Sequence, residues 1–241
     1  MDNPYVNLAQ NLITKDFGGR AKGSAEPLIT GYHFIQFTNI PTGLLESYNK
    51  NRANGVPGRA VLDERKLQDI LSAAALQVTT PGGRLNHVDL VGLGGIKWTV
   101  PTNIDYDTSF NVKFLEFNNT PIFNIIHAWI MMIRDYRTGI SSLTKGDNEY
   151  NKTNYSATAY YFTLAPNFQD INYYACFDGV YPITDPHQLF GSNVEDMNKL
   201  DIEIEFKFDY LWTDPWVYDR CNTILSKVRN TISANNMSTP L

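Results

Sequence analysis

The sequence DIEIEFKFDY spans residues 201–210 and alternates strictly between charged and apolar side chains. This period of two predicts a β-strand with one dry face and one wet face, because helical spacing would scatter both sets around the axis. The predicted inward side chains are Ile202, Ile204, Phe206, Phe208 and Tyr210. A strand of this length with aromatic residues inward requires neighbouring strands and a hydrophobic layer beneath it.

The composition supplies that layer and excludes several classes of protein. Of the 241 residues, 43% are hydrophobic and 13% aromatic, which suffices for a packed core in one large β domain or two small ones. The net charge of −5 comes with no basic block, so tight binding to nucleic-acid phosphates is not expected. No apolar run reaches the length that spans a membrane. Cys176 and Cys221 match no zinc or redox spacing, which indicates a reduced intracellular setting.

The other elements are predicted from periodicity and turn residues. Further strands are predicted over residues 31–38, 76–80, 107–117, 156–164 and 172–180, with a hairpin over 84–103. Helices are predicted over 63–75, from Pro121 with Thr120 as the cap, and over 215–233, and residues 41–58 are predicted as a loop. No alternation of strand and helix that would build a parallel sheet is present. The predicted fold class is therefore α+β and mainly antiparallel.

The same sequence patterns predict the domain organisation. Residues 1–30 are polar and glycine-containing, and they are predicted to form an N-terminal arm. Residues 31–241 are predicted as a single domain, with a loop and helix inserted at 41–75 and a C-terminal helix at 215–233.

Spacing reveals no active site and no metal site. The histidines, which fall at no metal-ligand spacing, are His33, His87, His127 and His187. His87 and Asp89 form an H-x-D pair that we interpret as part of a solvated face, and a structural role is the stronger interpretation for His127. The glycines of residues 92–95 lack the Lys-Ser/Thr ending of a phosphate loop and are interpreted as turn residues.

The acidic row of residues 201, 203 and 205 runs in a line along one strand, with side chains about 6 to 7 Å apart. Ligands in a line do not wrap a cation, so we interpret the row as a charged stripe and not as a metal site. The sequence thus predicts no enzyme, no cofactor and no metal ion.

From residue 76 onward the order of pieces resembles the tail tube proteins of contractile-tailed bacteriophages. The pieces are LQVTTPGG (76–83), HVDLVGLGGIKWTVPTN (87–103), DTSFNVKFLEFNNTPIFNIIHAWI (107–130), AYYFTL (159–164), YYACFDGVYPITDPHQL (173–189) and DIEIEFKFDY. The segment CFDGVYP followed by the alternating strand is the most family-like part. The resemblance covers residues 30–212 and depends on order and pattern.

The resemblance implies a β-sandwich or barrel with flanking helices, assembled as a homo-hexameric ring. Such rings would stack into a tube inside a sheath protein, with a tape-measure protein and DNA in the bore, and the DNA would pass without specific binding. The implied location is the virion tail, assembled in the host cytoplasm, with no membrane contact.

Two surfaces are expected to serve this assembly. The hairpin and the N-terminal arm are predicted to reach neighbouring subunits, and the interface residues of the hairpin are Val88, Leu90, Leu93, Ile96 and Trp98. The predicted lining of the bore is the acidic side of the last strand, Asp201, Glu203 and Glu205, for which an ordinary solvent-exposed face is an equal alternative.

Two other functions stay open at this point. One is a tail terminator, completion or baseplate-proximal tube protein of the same fold, since residues 1–30, 41–75 and the helix after Pro215 look like additions to a smaller core. The other is a carbohydrate-binding β-sandwich that uses exposed aromatic residues such as Tyr160, Tyr173 or Trp212.

Overall fold

A computed structural model describes residues 32–53, 62–92, 95–117, 120–135, 138–139, 152–165, 169–189 and 200–237. The predicted N-terminal arm, residues 1–30, lies outside these ranges. The strands are β1 (His33–Thr38), β2 (Ala75–Thr79), β3 (Gly83–Val91), β4 (Lys97–Tyr106), β5 (Ser109–Leu115), β6 (Ala157–Leu164), β7 (Ile171–Pro182), β8 (Asp201–Lys207) and β9 (Tyr210–Trp212). The helices are α1 (Thr42–Ala53), α2 (Glu64–Ala74), α3 (Pro121–Ile133) and α4 (Pro215–Met237), with short 3-10 turns at Lys152–Asn154 and Pro186–Leu189.

The main sheet has the strand order β1-β6-β7-β8-β5-β2, with β9 added beside β7. Each described strand pairing is antiparallel, so the predicted α+β, mainly antiparallel class is confirmed. The sheet has two halves, one of β1, β6, β7 and β9 and the other of β8, β5 and β2. Strand β7 joins them, because it pairs with β6 and β9 along most of its length and with β8 only at Tyr181 and Pro182. The sheet therefore curls, as the predicted sandwich or barrel requires.

Aromatic side chains fill the space between the two halves. Phe37 of β1 contacts Phe206 of β8 at a ring-centroid distance of 5.3 Å. Phe110 of β5 stacks on Phe177 of β7 at 4.4 Å. Strands that are not neighbours in the sheet thus share one core.

Helix α3 closes this core with the wide apolar face expected of it. Ile122, Ile125, Ile126 and Trp129 are fully buried, and the Trp129 indole N–H donates to the carbonyl oxygen of Tyr155 at 2.7 Å. That bond satisfies the polar atom that burial of a tryptophan would otherwise leave unpaired.

A second, smaller core lies where α4 packs on the outer side of β6 and β7. Strand β6 is buried on both faces, with Ala159 in the main core and Phe162 in the smaller one. The side chains that α4 contributes are Val217, Cys221, Ile224 and Leu225, which recur at helical spacing. In the part of the chain that the structure describes, each helix is too short or too polar to cross a membrane.

The alternating stretch at residues 201–210 is not one strand, contrary to prediction. β8 ends at Lys207, and Tyr210 is 61% exposed although the alternation assigned it to the core. The chain changes partners at this point: the Phe208 N–H donates to Thr108, whereas the Asp209 N–H donates to Asp178 of β7. β9 then continues on β7, which turns the last aromatic residues outward.

The predicted loop at 41–58 is wrong over residues 42–53, where α1 forms. Leu44 and Tyr48, one turn apart, are buried in the main core. Gly43 faces the sulfur of Met132, where an added Cβ would lie 3.0 Å away, so the glycine lets α1 approach α3 closely. The Asn49 side chain then bonds both backbone polar groups of Leu62, at 3.0 and 3.2 Å.

The start of α3 is capped by a residue other than the predicted one. Thr120 adopts a left-handed backbone conformation with φ of 48° and makes no side-chain cap. Instead the carboxylate of Glu116 accepts hydrogen bonds from the backbone N–H groups of Ile122 (3.2 Å) and Phe123 (2.8 Å). A carboxylate at this position satisfies orphan donors and suits the positive end of the helix dipole.

Candidate functional site

The hairpin predicted over residues 84–103 forms a separate two-stranded sheet, β3 with β4, which we call the ribbon. At its base the Asp107 N–H donates to the carbonyl oxygen of Gly82 at 3.0 Å, and the Gly82 N–H donates to the Asp107 carboxylate at 3.2 Å. At its tip the Gly92 N–H donates to Ile96 at 2.8 Å, and Gly95 has φ of 79°. Gly92 and Gly95 are thus turn residues, as expected.

One face of the ribbon is apolar and open to solvent. Leu90 lies opposite Trp98 and Val88 lies opposite Val100 in the register, which places all four side chains on one face. They are between 40% and 50% exposed. The Trp98 ring lies over Gly92, where any side chain would collide with the indole. Of the predicted interface residues, Ile96 is 63% exposed at the tip, and Leu93 lies outside the described residues.

The opposite face of the ribbon is mixed. Leu85 and Ile104 face each other near the base, and a bulge between Leu85 and His87 separates them from the polar part. Asp89 accepts a hydrogen bond from the Thr99 hydroxyl at 2.8 Å. His87 and Asp89 are both exposed, so the H-x-D pair belongs to a solvated face, as we interpreted it from sequence.

A second surface is the outer side of β8, β5 and β2, which we call the polar face. Its side chains, placed together by the register, are Asp201, Glu203, Glu205, Lys207, Ser109, Asn111, Lys113, Leu115, Gln77 and Thr79. Lys113 forms an ion pair with Asp201 at 3.0 Å, and the Asn111 amide donates to Glu203 at 3.0 Å. The acidic row is therefore partly neutralised at its start and retains its charge mainly at Glu203 and Glu205.

The aromatic residues considered for carbohydrate binding do not form one exposed platform. Tyr160 is buried beneath α4, and burial raises its pKa. Tyr173 packs edge-on against Tyr161 at 6.0 Å. Only Trp212 lies in an exposed aromatic pair, with Tyr210 at 5.9 Å.

The two cysteines lie together in the smaller core as free thiols. Burial raises the pKa of Cys176 to about 12, and burial together with the neighbouring Cys176 raises the pKa of Cys221 to about 12. Both thiols stay protonated near neutral pH and are poor nucleophiles. They serve as packing residues.

A cleft of about 1020 Å³ lies between α2 and α4. Its described lining includes no histidine or cysteine, and the Asp63 carboxylate within it is engaged as the cap of α2, accepting the Lys66 N–H at 2.8 Å. That backbone hydrogen bond lowers the pKa of Asp63, a shift that burial opposes. The Ser72 hydroxyl in the described lining has no hydrogen-bond partner, so among these residues no nucleophile lies beside a base of the kind that covalent catalysis needs.

Two histidines that appear unrelated in the sequence come together in the fold. His127 of α3, Asp185 and His187 present nitrogen and oxygen atoms that all lie within 4.8 Å of one another, and we call this group the histidine cluster. Sequence spacing missed it, because its two parts lie on different elements. His33, which lies on β1 of the main sheet and apart from this cluster, is half-buried, and burial lowers its pKa.

Comparison with known proteins finds only distant structural similarity. No protein-family model and no curated protein matches the sequence. A chain in the six-fold symmetrised baseplate of the anti-feeding prophage aligns with a TM-score of 0.45 and 10% identity, covering 78% of this chain and 95% of that chain. A chain in the sheath–tube complex of the PVC extracellular contractile injection system gives 0.43 and 8%, covering 80% and 97%. A chain in the tube-terminating cap of the anti-feeding prophage gives 0.43 and 7%, covering 83% and 97%.

Proposed function

We propose that this chain is a structural subunit of a contractile tail, and specifically a tail tube subunit. It assembles as a homo-hexameric ring, and the rings stack into a tube within a sheath, in a tail built in the host cytoplasm. A tape-measure protein and then DNA occupy the bore, and the DNA passes without specific binding. The observation that carries the proposal is the solvent-exposed apolar face of the ribbon.

The ribbon needs a covering surface. An isolated two-stranded hairpin is marginally stable in water, and stable hairpins pack an apolar face against other elements. Here Val88, Leu90, Trp98 and Val100 remain exposed on the free chain. Contiguous exposed apolar side chains of this kind mark interaction surfaces.

A second copy of the chain is the partner that best fits. β1 and β2 end the strand order of the main sheet and each pairs on one side only in the described chain. Open sheet edges favour pairing with other chains, and head-to-tail contacts that close by rotation produce rings. The sequence resemblance to tail tube proteins supplies the six-fold ring and the stack.

We expect Trp98→Lys to abolish ring and tube formation, because a buried aromatic anchor contributes about 2 kcal/mol or more at each interface. Thr99→Lys is the matched control, since it introduces the same charge at the next position on the opposite face, beside Asp89. Negative-stain microscopy and light scattering of the purified proteins measure the outcome. Rings formed equally by wild type and Trp98→Lys would contradict the proposed interface.

We further propose that the polar face lines the bore. Glu203 and Glu205 would repel DNA, whereas Asp201 is engaged by Lys113. The double change Glu203→Lys and Glu205→Lys should leave assembly intact and hinder DNA ejection, with Glu64→Lys and Asp69→Lys on the surface of α2 as the control pair. Ejection of DNA at the wild-type rate from particles with both changes on β8 would argue against this lining.

The same fold also suits a tail terminator, completion or baseplate-proximal tube protein. The observation that favours this alternative is the set of added elements, α1, α2 and α4, around the curled sheet. A tube subunit polymerises into long stacks, whereas a terminator stops at a single ring, so the length of the assemblies in the microscope distinguishes the two. A carbohydrate-binding module is disfavoured by the burial of Tyr160.

A further inference from the structure

We propose that His127, Asp185 and His187 form a binding site for a divalent transition-metal ion of the Zn²⁺ type. This inference does not depend on the proposed tube function, because the three residues come from one chain.

The geometry gathers the three side chains from two elements. His127 projects from α3 and stacks on Phe123 with a ring-centroid distance of 5.6 Å and an angle of 6°. Asp185 and His187 lie in the turn that follows β7, where Asp185 Oδ1 and His187 Nδ1 are 2.9 Å apart. The rings of His127 and His187 are 4.6 Å apart at 79°, so the two imidazoles converge on the same space.

The donor set selects the class of metal. Two imidazoles and one carboxylate are the ligands of many zinc sites with an open fourth position, and imidazole also suits other late first-row ions. Mg²⁺ and Ca²⁺ prefer oxygen ligands and are not expected here. Because His187 is exposed, water has access to the remaining position.

The distances require only a small adjustment. Ligand atoms about 2.0–2.2 Å from a tetrahedral ion lie roughly 3.3–3.6 Å from one another. The Asp185–His187 pair is already closer than that, and the largest separation in the cluster is at most 4.8 Å. A movement of the side chains by roughly 1–1.5 Å, obtained by rotation about χ angles, brings all three within reach of one ion.

A purely local role accounts for part of the cluster only. Asp185 accepts the His187 backbone N–H at 3.0 Å and thereby caps the short turn at Pro186–Leu189. Capping of the turn involves Asp185 and His187 alone. His127 reaches the same point from α3, where its ring and that of His187 also pack on Phe123.

A bound ion would join α3 to the turn that follows β7. The turn containing Asp185 is already tied to β8, because the Glu205 N–H donates to Thr184 Oγ1 at 3.0 Å and the Ile183 N–H donates to the Glu205 carbonyl oxygen at 2.9 Å. Coordination by His127 would fasten this turn to α3 as well. Metal binding should therefore stabilise the folded chain.

The test is a metal titration of the purified chain without a polyhistidine tag, after chelator treatment. ZnCl₂ at about a hundred times its dissociation constant should raise the melting temperature by about 5 to 10 °C, whereas MgCl₂ should not. Co²⁺ should give the visible absorption bands of a tetrahedral site. His187→Gln should weaken Zn²⁺ binding at least about tenfold, since even the loss of an outer-shell partner has that effect. His87 is an exposed histidine on the ribbon, and the control variant His87→Gln should bind Zn²⁺ with the affinity of the wild type.

Asp185→Asn provides a second variant that retains the shape of the side chain but weakens the ligand. Weakened binding in both His187→Gln and Asp185→Asn, with normal binding in His87→Gln, would establish the site. Absence of a Zn²⁺-dependent shift in the wild type would overturn it. Wild-type affinity in either His187→Gln or Asp185→Asn would overturn it as well.

Discussion

Phe206→Ala should lower the free energy of unfolding by about 3–5 kcal/mol, the range for deleting a large aromatic ring from a packed core. The Phe206 side chain is fully buried and lies where three layers meet. Its ring centroid is 5.3 Å from that of Phe37 on β1, 5.5 Å from Phe110 on β5 and 6.3 Å from Trp129 on α3. No neighbouring element can collapse into the space without moving the others.

Urea unfolding followed by circular dichroism measures this loss. Phe206→Leu keeps most of the volume and should cost less than about 1.5 kcal/mol, which provides a folded variant if the alanine variant does not fold. Phe117→Ala removes the same ring from a site that is 45% exposed and should change stability by about 0.5 kcal/mol or less. Equal losses for Phe206→Ala and Phe117→Ala would contradict the position of Phe206 at the centre of the core.

Gly179→Ala should destabilise the fold by about 2–3 kcal/mol, from two separate causes. The φ of Gly179 is +72°, a backbone conformation that residues with a Cβ rarely adopt. An added Cβ would also lie 2.5 Å from Asp209 Oδ2 and 3.3 Å from Asp209 Cβ. Asp209 cannot withdraw freely, because its carboxylate pairs with Lys152 and its N–H donates to Asp178.

Two further variants separate these causes. Gly139→Ala has a similar φ of +66° but no atom within 4 Å of the new Cβ, so it should cost only the backbone term of about 1 kcal/mol. Combining Gly179→Ala with Asp209→Ala should recover the part of the loss that is due to the collision. If the alanine at 179 is no more costly than the alanine at 139, the contact with Asp209 contributes nothing.

Local pattern predicted most strands and the packed faces of α2, α3 and α4, because the burial of one face imposes a period on the sequence. It did not predict the break at Phe208. The alternation continues through Tyr210, and the side chain turns outward only because the backbone exchanges β5 for β7 as its partner. That exchange is a tertiary event with no local signal.

The error at α1 has a different cause. Pro41, Gly43 and the glycines after residue 53 are typical of a loop, and a loop was predicted from them. The spacing of Leu44 and Tyr48, which suits a helix, did not enter that prediction. Gly43 is present because of close packing against Met132 and not because of a turn. At α3 the nearest capping residue, Thr120, was a reasonable expectation, yet Glu116 performs that role from outside the helix.

The candidate surfaces were predictable to different degrees. The ribbon was evident from its hairpin pattern, although the register assigns Val100 to the apolar face and places Ile96 at the tip. The polar face was evident from alternation, but the ion pair of Asp201 with Lys113 needed the strand order. The histidine cluster was not predictable, since His127 and His187 meet only after α3 packs beside the turn that follows β7.

The paired hydrogen bonds between Gly82 and Asp107 mark where the ribbon leaves the rest of the fold. Beyond these two hydrogen bonds, in the described chain, β3 and β4 pair only with each other. The ribbon can therefore melt as a cooperative unit of its own while the aromatic core stays intact. Substitutions within the ribbon would leave the thermal midpoint of the isolated subunit almost unchanged and would instead impair polymerisation. A screen for thermostability would therefore not detect them.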